Sequence, residues 1–242
     1  MTKLFKYELR RLLVNKFFLG LLVIAALHSK HLLETVVILG VSNTAPFSEW
    51  SYGMFLAKVL PILLIALLFF VSFLYSNQEQ GMSTLRNATP INLSVLLLLR
   101  CSAMIIGFLL IAAIPIGFSL WFYANNFHFT NFGVFILPIL ITLLPSMLFI
   151  LGLGIIAGRL HPTLLYALMP LMLLFSYLPM PRIIDLFGSN FFQDFPLTLP
   201  LGADGEVAFV VPVVVWIGKI VYSMTGIVLT ILGLIHFTKS DY

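Results

Sequence analysis

The chain has 242 residues, of which 61% are hydrophobic and 9% charged, and its mean hydropathy is +1.10. A soluble domain carries about 25% charged residues, so there are too few charges to coat a water-facing surface, and the bilayer is the expected solvent. The net charge of +4 does not point to nucleic acid, since in a membrane chain the position of each charge matters more than the sum; one cysteine, Cys101, excludes an internal disulfide.

The first predicted element is an amphipathic helix over residues 1–16. On a helical wheel Phe5, Leu9, Leu12 and Leu13 share one face, and Lys3, Lys6 and Arg10 share the opposite one. A helix with that partition lies along a membrane surface, apolar face down and basic face toward anionic lipid headgroups. The alternative is a basic flank that only orients the first span. Basic residues continue through Lys16, so this start does not read as a cleavable signal peptide with a short basic region and a small-residue cleavage site.

Six spans are predicted next, at 17–40, 54–75, 102–123, 132–157, 163–180 and 209–237. Roughly 20 residues at 1.5 Å rise cross the hydrocarbon core. The expected fold is an all-α polytopic membrane protein, one transmembrane domain over 1–242, with a polar outer insert between spans five and six. With the N-terminus in the cytoplasm, Lys3, Lys6, Arg10, Arg11, Lys16, Arg86, Arg100, Arg159 and Lys239 all fall inside. Outside, Arg182 is the clear loop cation, in a segment with Asp185, Asp194, Asp204 and Glu206. That is the positive-inside asymmetry, and it puts both termini and the polar stretch 78–90 in the cytoplasm.

Several charges interrupt these runs. Lys30 and Glu34 are spaced i, i+4 and can pair on one helical face, with His28 and His31 in the same turns. Either HSKHLLE is a polar patch on a substrate path, or the first span is shorter and this stretch lies at the outer surface. Lys58 lies near the outer end of the second span, where it can snorkel. Residues 91–100 precede the third span and end in Arg100: either a surface helix bends into the membrane there, or one long tilted helix runs through. Lys219 divides the last apolar stretch: either one span runs over 209–237, or residues 220–237 span alone and leave EVAFVVPVVVW as a short re-entrant or interfacial helix. Gly154 and Gly158 form a GxxxG pair that admits a close helix, from another subunit or from this chain. Pro61, Pro115, Pro138, Pro145 and Pro170 fall inside spans, where proline kinks a helix.

No catalytic constellation is legible. There is no GxSxG nucleophile elbow, no HExxH zinc site and no Gly-rich phosphate loop ending in Lys-Ser or Lys-Thr. The chain is therefore read as no enzyme, with no metal and no cofactor of its own. The spans also lack the ladder of acids that many ion-driven carriers use. A path is present, and no energy source.

The polar stretch addresses that gap. EQGMSTLRNATP, residues 79–90, resembles the loop between the second and third spans of the ABC-2 type permeases, the membrane subunits of one class of ATP-binding-cassette transporter. Members carry an acid just before a glycine there, then a leucine and a Thr-Pro or Ser-Pro before the next apolar run. Glu79, Gly81, Leu85, Thr89 and Pro90 occupy those places. The layout is similar over the whole chain: a basic amphipathic N-terminal helix, six spans, both ends inside, and an outer insert between spans five and six. The polarity of HSKHLLE departs from the usual first span.

The resemblance implies a bacterial inner-membrane permease that borrows its motor. ATP and magnesium belong to a separate ATP-binding-cassette ATPase subunit, and a second permease copy, identical or related, completes the pathway. Glu79, Gly81, Leu85, Arg86 and Pro90 are then the ATPase-coupling residues, with Arg159 in a lesser contact. Without a partner, 78–90 would be a solvated loop. The family implies export of a hydrophobic or amphipathic cargo: a peptide, a lipid-like molecule or a drug. Small chains of this layout also occur in pumps that protect bacteria from lantibiotic-like peptides. The alternative reading is the membrane-embedded small-molecule-binding component of a vitamin-type importer.

Overall fold

The structure is a computed structural model that describes residues 2–76, 93–202 and 205–239. Among the described residues there are eight α-helices and no strand. They are α1 (Thr2–Leu13), α2 (Lys16–Thr35), α3 (Glu49–Ser72), α4 (Leu93–Phe127), α5 (Ile136–Leu160), α6 (Pro162–Tyr177), α7 (Ser189–Asp194) and α8 (Val213–Lys239).

Five of these segments are long and apolar enough to cross a membrane: Lys16–Leu39, Glu49–Tyr75, Val95–Phe127, Phe132–Leu160 and Val213–Ile235. The chain is thus a helical, multi-pass membrane protein. The span expected at 163–180 is shorter: α6 has 16 residues, about 24 Å of helix against a hydrocarbon core of about 30 Å. Its ends explain the length. His161 caps the start, with Pro162 as the first helical residue, and Leu178 leaves the helix in an extended conformation. Leu178 precedes Pro179, and the proline ring disfavours a helical conformation in the residue before it.

α3 is the centre of the bundle. Its sequence is apolar all round, which suits burial on every side. Residues on all its faces, from Trp50 and Tyr52 to Phe70 and Val71, are buried. α2, α4, α5 and α6 pack around it, α8 lies against α5, and α1 lies against α4. Many outward residues are large and apolar, among them Val23, Leu27, Leu144, Leu174, Val221 and Val228. That surface suits lipid rather than water.

Of the two readings open at Arg100, the long helix holds and the bend does not: residues 93–127 form one continuous helix. EVAFVVPVVVW is not a helix of its own: residues 207–212 are non-helical, and α8 begins at Val213 and runs past Lys219. Helix also continues through Pro61, Pro115, Pro145 and Pro170. Pro138 falls in the first turn of α5, where the backbone N–H has no intrahelical partner to lose.

Glycines set the closest helix approaches. A Cβ at Gly226 of α8 would collide with the carbonyl of Leu148 in α5, and one at Gly152 of α5 with the carbonyl of Gly226. Gly154 faces Leu68 and Val71 of α3, and Gly158 faces the Tyr75 ring and Leu165. The GxxxG pair is therefore filled from within the chain. Replacing Gly226 with Ala must push α5 and α8 apart, at a cost of about 1–3 kcal/mol. The expected result is a lower melting temperature in detergent. Gly20→Ala, where a Cβ meets nothing within 4 Å, should leave it unchanged or slightly raised.

Candidate functional site

At one end of the bundle a basic surface is assembled from α1, the last turns of α3 and α5, and the start of α4. On α1 the residues Lys3, Lys6 and Arg10 are exposed, as the wheel predicts. Leu12 is buried, and Phe5, Leu9 and Leu13 are half-buried against the core. The apolar face of α1 is thus covered in part by the bundle itself.

What fixes α1 is an ion pair. Glu8 lies on the same helical face as Phe5 and Leu12, and its carboxylate accepts a 3.0 Å hydrogen bond from Nε of Arg100 on α4. The side chains of Arg100 and Glu8 are 11% and 8% exposed. Arg11 stands 3.8 Å from the same carboxylate and reaches the Phe73 carbonyl at 3.5 Å. Two residues after Phe73, the Tyr75 hydroxyl donates to the Ile155 carbonyl at 2.6 Å, beside Gly158 and Arg159. Arg159 is half-buried in the last turn of α5. Segment 77–92 joins Ser76 to Leu93, the first residue of α4. Glu79, Gly81, Leu85, Arg86 and Pro90 lie outside the described residues.

The polar patch of the first span divides. His28 turns toward α3, its Nε2 at 3.4 Å from the Lys58 carbonyl. Lys30 and Glu34 pair at 3.8 Å on an exposed face, over a cleft lined by Leu33 and by Phe118, Trp121 and Phe122 of α4. His31 is exposed and does not line that cleft. The four residues therefore do not converge on one point. Lys58 is held by the far end of α6, its ammonium 5.8 Å from the centre of the Tyr177 ring.

At the opposite end from the basic surface, residues 178–202 and 205–212 fold over the bundle as a cap. Phe191 and Phe192 of α7 are buried on α3. Gly53 leaves the space that the Phe192 ring fills. Trp50 is fully buried, packs against Phe191, Phe195 and Phe209, and donates its indole N–H to the Val207 carbonyl at 3.2 Å. The cap is fastened by charge. The Asp185 carboxylate accepts from the backbone N–H groups of Gly188, Asn190 and Phe191 at 2.7, 2.9 and 3.3 Å, which satisfies the open start of α7. From α8, the ammonium of Lys219 donates to the carbonyls of Asp185 and Leu186 at 3.0 and 2.8 Å.

No protein-family profile, curated protein or solved structure matches this chain. The site is therefore defined by its own residues. Among the described residues there is no group of three or more His, Cys, Asp or Glu side chains arranged to hold a metal ion.

Two sets of residues escaped the sequence reading. Glu8 was overlooked among its basic neighbours. The available signal was its position: an acid on the apolar stripe of a basic helix needs a cation inside the fold. Lys219 was read as an interruption, and Asp185 as one of several outer acids. Nothing in their spacing of 34 residues links them.

Proposed function

We propose that this chain is the permease subunit of an ATP-binding-cassette exporter, driven by a separate ATPase subunit and moving a hydrophobic or amphipathic molecule. The supporting observation is the way segment 77–92 is rooted. Its two ends continue directly into α3, the most buried helix, and α4, the longest, and the roots are braced by Glu8–Arg100, Arg11–Phe73 and Tyr75–Ile155. A partner gripping Glu79 and Arg86 through charge-assisted bonds would thus deliver displacement to the core of the bundle rather than to a loose loop. In this reading Gly81 gives the turn its freedom, Leu85 meets an apolar groove on the ATPase, Pro90 begins the next segment, and Arg159 contributes a second contact.

The same reading makes α6 the sixth crossing. It starts beside the basic end at Pro162, and its last residue, Tyr177, lies by Lys58 near the cap. The bilayer would thin locally, or the apolar residues after Tyr177 would complete the span, at a modest cost per ångström of mismatch. The basic end then faces the cytoplasm.

Purification in mild detergent is expected to recover an ATP-binding-cassette ATPase and a second permease copy with the chain. Glu79→Lys or Arg86→Glu should leave insertion intact and uncouple ATP hydrolysis from transport in reconstituted vesicles. Unchanged coupled transport in both variants would refute the docking role. Recovery of the ATPase only through another membrane subunit would move the chain to the vitamin-importer class.

A further inference from the structure

We propose that the cleft beneath Lys30 and Glu34 is a binding site for a zwitterionic phospholipid bearing a primary amine, with one acyl chain laid along α4. Three spaces, each a little over 300 Å³, adjoin along this helix. The first lies between α2 and α4 and carries the Lys30–Glu34 pair over Phe118, Trp121 and Phe122. The second lies on the exposed ridge of Gly117, Phe118 and Trp121. The third lies between α4 and α5, lined by residues such as Leu109, Ala113, Ile116, Leu140 and Leu144, with Gly117 at its edge.

Gly117 belongs to the second and third spaces, and a Cβ there would meet nothing within 4 Å. The missing side chain opens one space to the next. Phe118 and Trp121 in turn belong to both the first and the second. The result is a groove with a charged mouth and an apolar length, the outline of an amphiphile rather than of a water-soluble molecule.

Depth fixes which part of the lipid meets which residues. Lys30 is five residues before the end of α2 at Thr35, and Trp121 six before the end of α4 at Phe127. Both helices end at the cap side, so the pair and the indole sit together near one interface, where tryptophan settles at headgroup level. The apolar part runs from there toward the bilayer middle.

Charge selects the headgroup. The two side chains are 61% and 55% exposed and stand 3.8 Å apart, so their N–H and carboxylate groups are open to a second partner. A phosphate bridges to Lys30 and a primary ammonium to Glu34, while the net charge of the mouth is zero. An anionic headgroup would meet Glu34 unfavourably, and a quaternary ammonium has no N–H for it to accept. The site does not depend on the transport reading, since a lipid can occupy it in any multi-pass protein.

The test is native mass spectrometry of the full chain with phosphatidylethanolamine, phosphatidylcholine or phosphatidylglycerol of matched acyl chains added singly. Phosphatidylethanolamine should bind about fivefold more tightly than either of the others, a difference of about 1 kcal/mol. Glu34→Gln should abolish its advantage over phosphatidylcholine, Lys30→Gln should weaken both, and Gly117→Leu should weaken all three. These positions are exposed, so folding is expected to survive, with thermal stability as the check. Equal binding of the three lipids, preference for phosphatidylglycerol, or indifference to all three variants would overturn the site. A change of oligomeric state in Gly117→Leu would assign the groove to a second copy instead. None of these outcomes touches the ATPase experiment, so the two proposals fail separately.

Discussion

Lys219→Met is expected to release the cap from the bundle and to destabilise the protein by about 3–5 kcal/mol. Lys219 is 4% exposed, and its ammonium holds two carbonyls of the cap from the second turn of α8. Hydrogen bonds to a charged group contribute about 1.5–3 kcal/mol each, and their loss leaves buried acceptors unpaired. The Leu186 carbonyl keeps its 2.9 Å bond from Ser146, so the Asp185 carbonyl is the one stranded. The Asp185 carboxylate would also lose its neighbouring cation while still buried. Two measurements report the change: the melting temperature in detergent, and the rate of tryptic cleavage after Arg182. Arg182 rests on the Phe195 ring at 4.9 Å in the intact cap. Faster cleavage with a lower melting temperature is expected. Asp185→Asn alone should cost less, since an amide oxygen can still accept from the start of α7. The double variant should cost less than the sum, because both residues serve one fastening. Additive effects with unchanged cleavage would mean that the cap is held by Trp50 and the phenylalanines alone.

The contrast between Lys219 and Lys30 shows where sequence reasoning reached and where it stopped. The i, i+4 spacing of Lys30 and Glu34 dictates a shared face, and the structure has them paired. Helix existence was legible for the same local reason: a run of apolar residues long enough to cross a bilayer is visible without any knowledge of neighbours. The cap was legible as a kind of segment, from its mixture of Phe, Leu, Pro and acids. Its fastening was not. A lysine in an apolar run has several solutions, including snorkelling, a broken helix or a buried acceptor, and only the three-dimensional neighbourhood selects among them. The sequence leaves a continuous span over 209–237 and a broken one both open, and α8 continues past Lys219 because carbonyls from residues 185 and 186 come to meet it.

The extra length of α4 has a similar explanation. Of the bend and the long helix that the sequence leaves open at Arg100, the long helix forms, and an arginine inside a long apolar helix needs a reason. Glu8 is that reason: with an acid from α1 at 3.0 Å, the helix accommodates the arginine without leaving its axis. The apolar stripe of α1 was correctly read, but the surface it meets could not be, because periodicity identifies a buried face and not its partner.

Glu8→Ala should therefore be the most damaging single change at the basic end. It removes the nearly buried carboxylate that accepts from Arg100 and stands 3.8 Å from Arg11. Breaking one side of a buried ion pair typically costs about 3–5 kcal/mol. Lys6→Ala, at an exposed position on the same helix, should stay within about 0.5 kcal/mol of the parent. The decisive comparison is a double replacement, Glu8→Leu with Arg100→Met, which removes both charges and keeps apolar volume. Stability should then return to near the parent value, because a buried pair contributes little net energy over well-packed apolar residues. Melting temperature in detergent reports that part. If the pair also serves to carry movement from segment 77–92 into α1, the stable double variant should still show reduced coupling of ATP hydrolysis to transport. Full coupling in a stable double variant would confine Glu8 and Arg100 to structure and leave α3 as the route for the applied displacement.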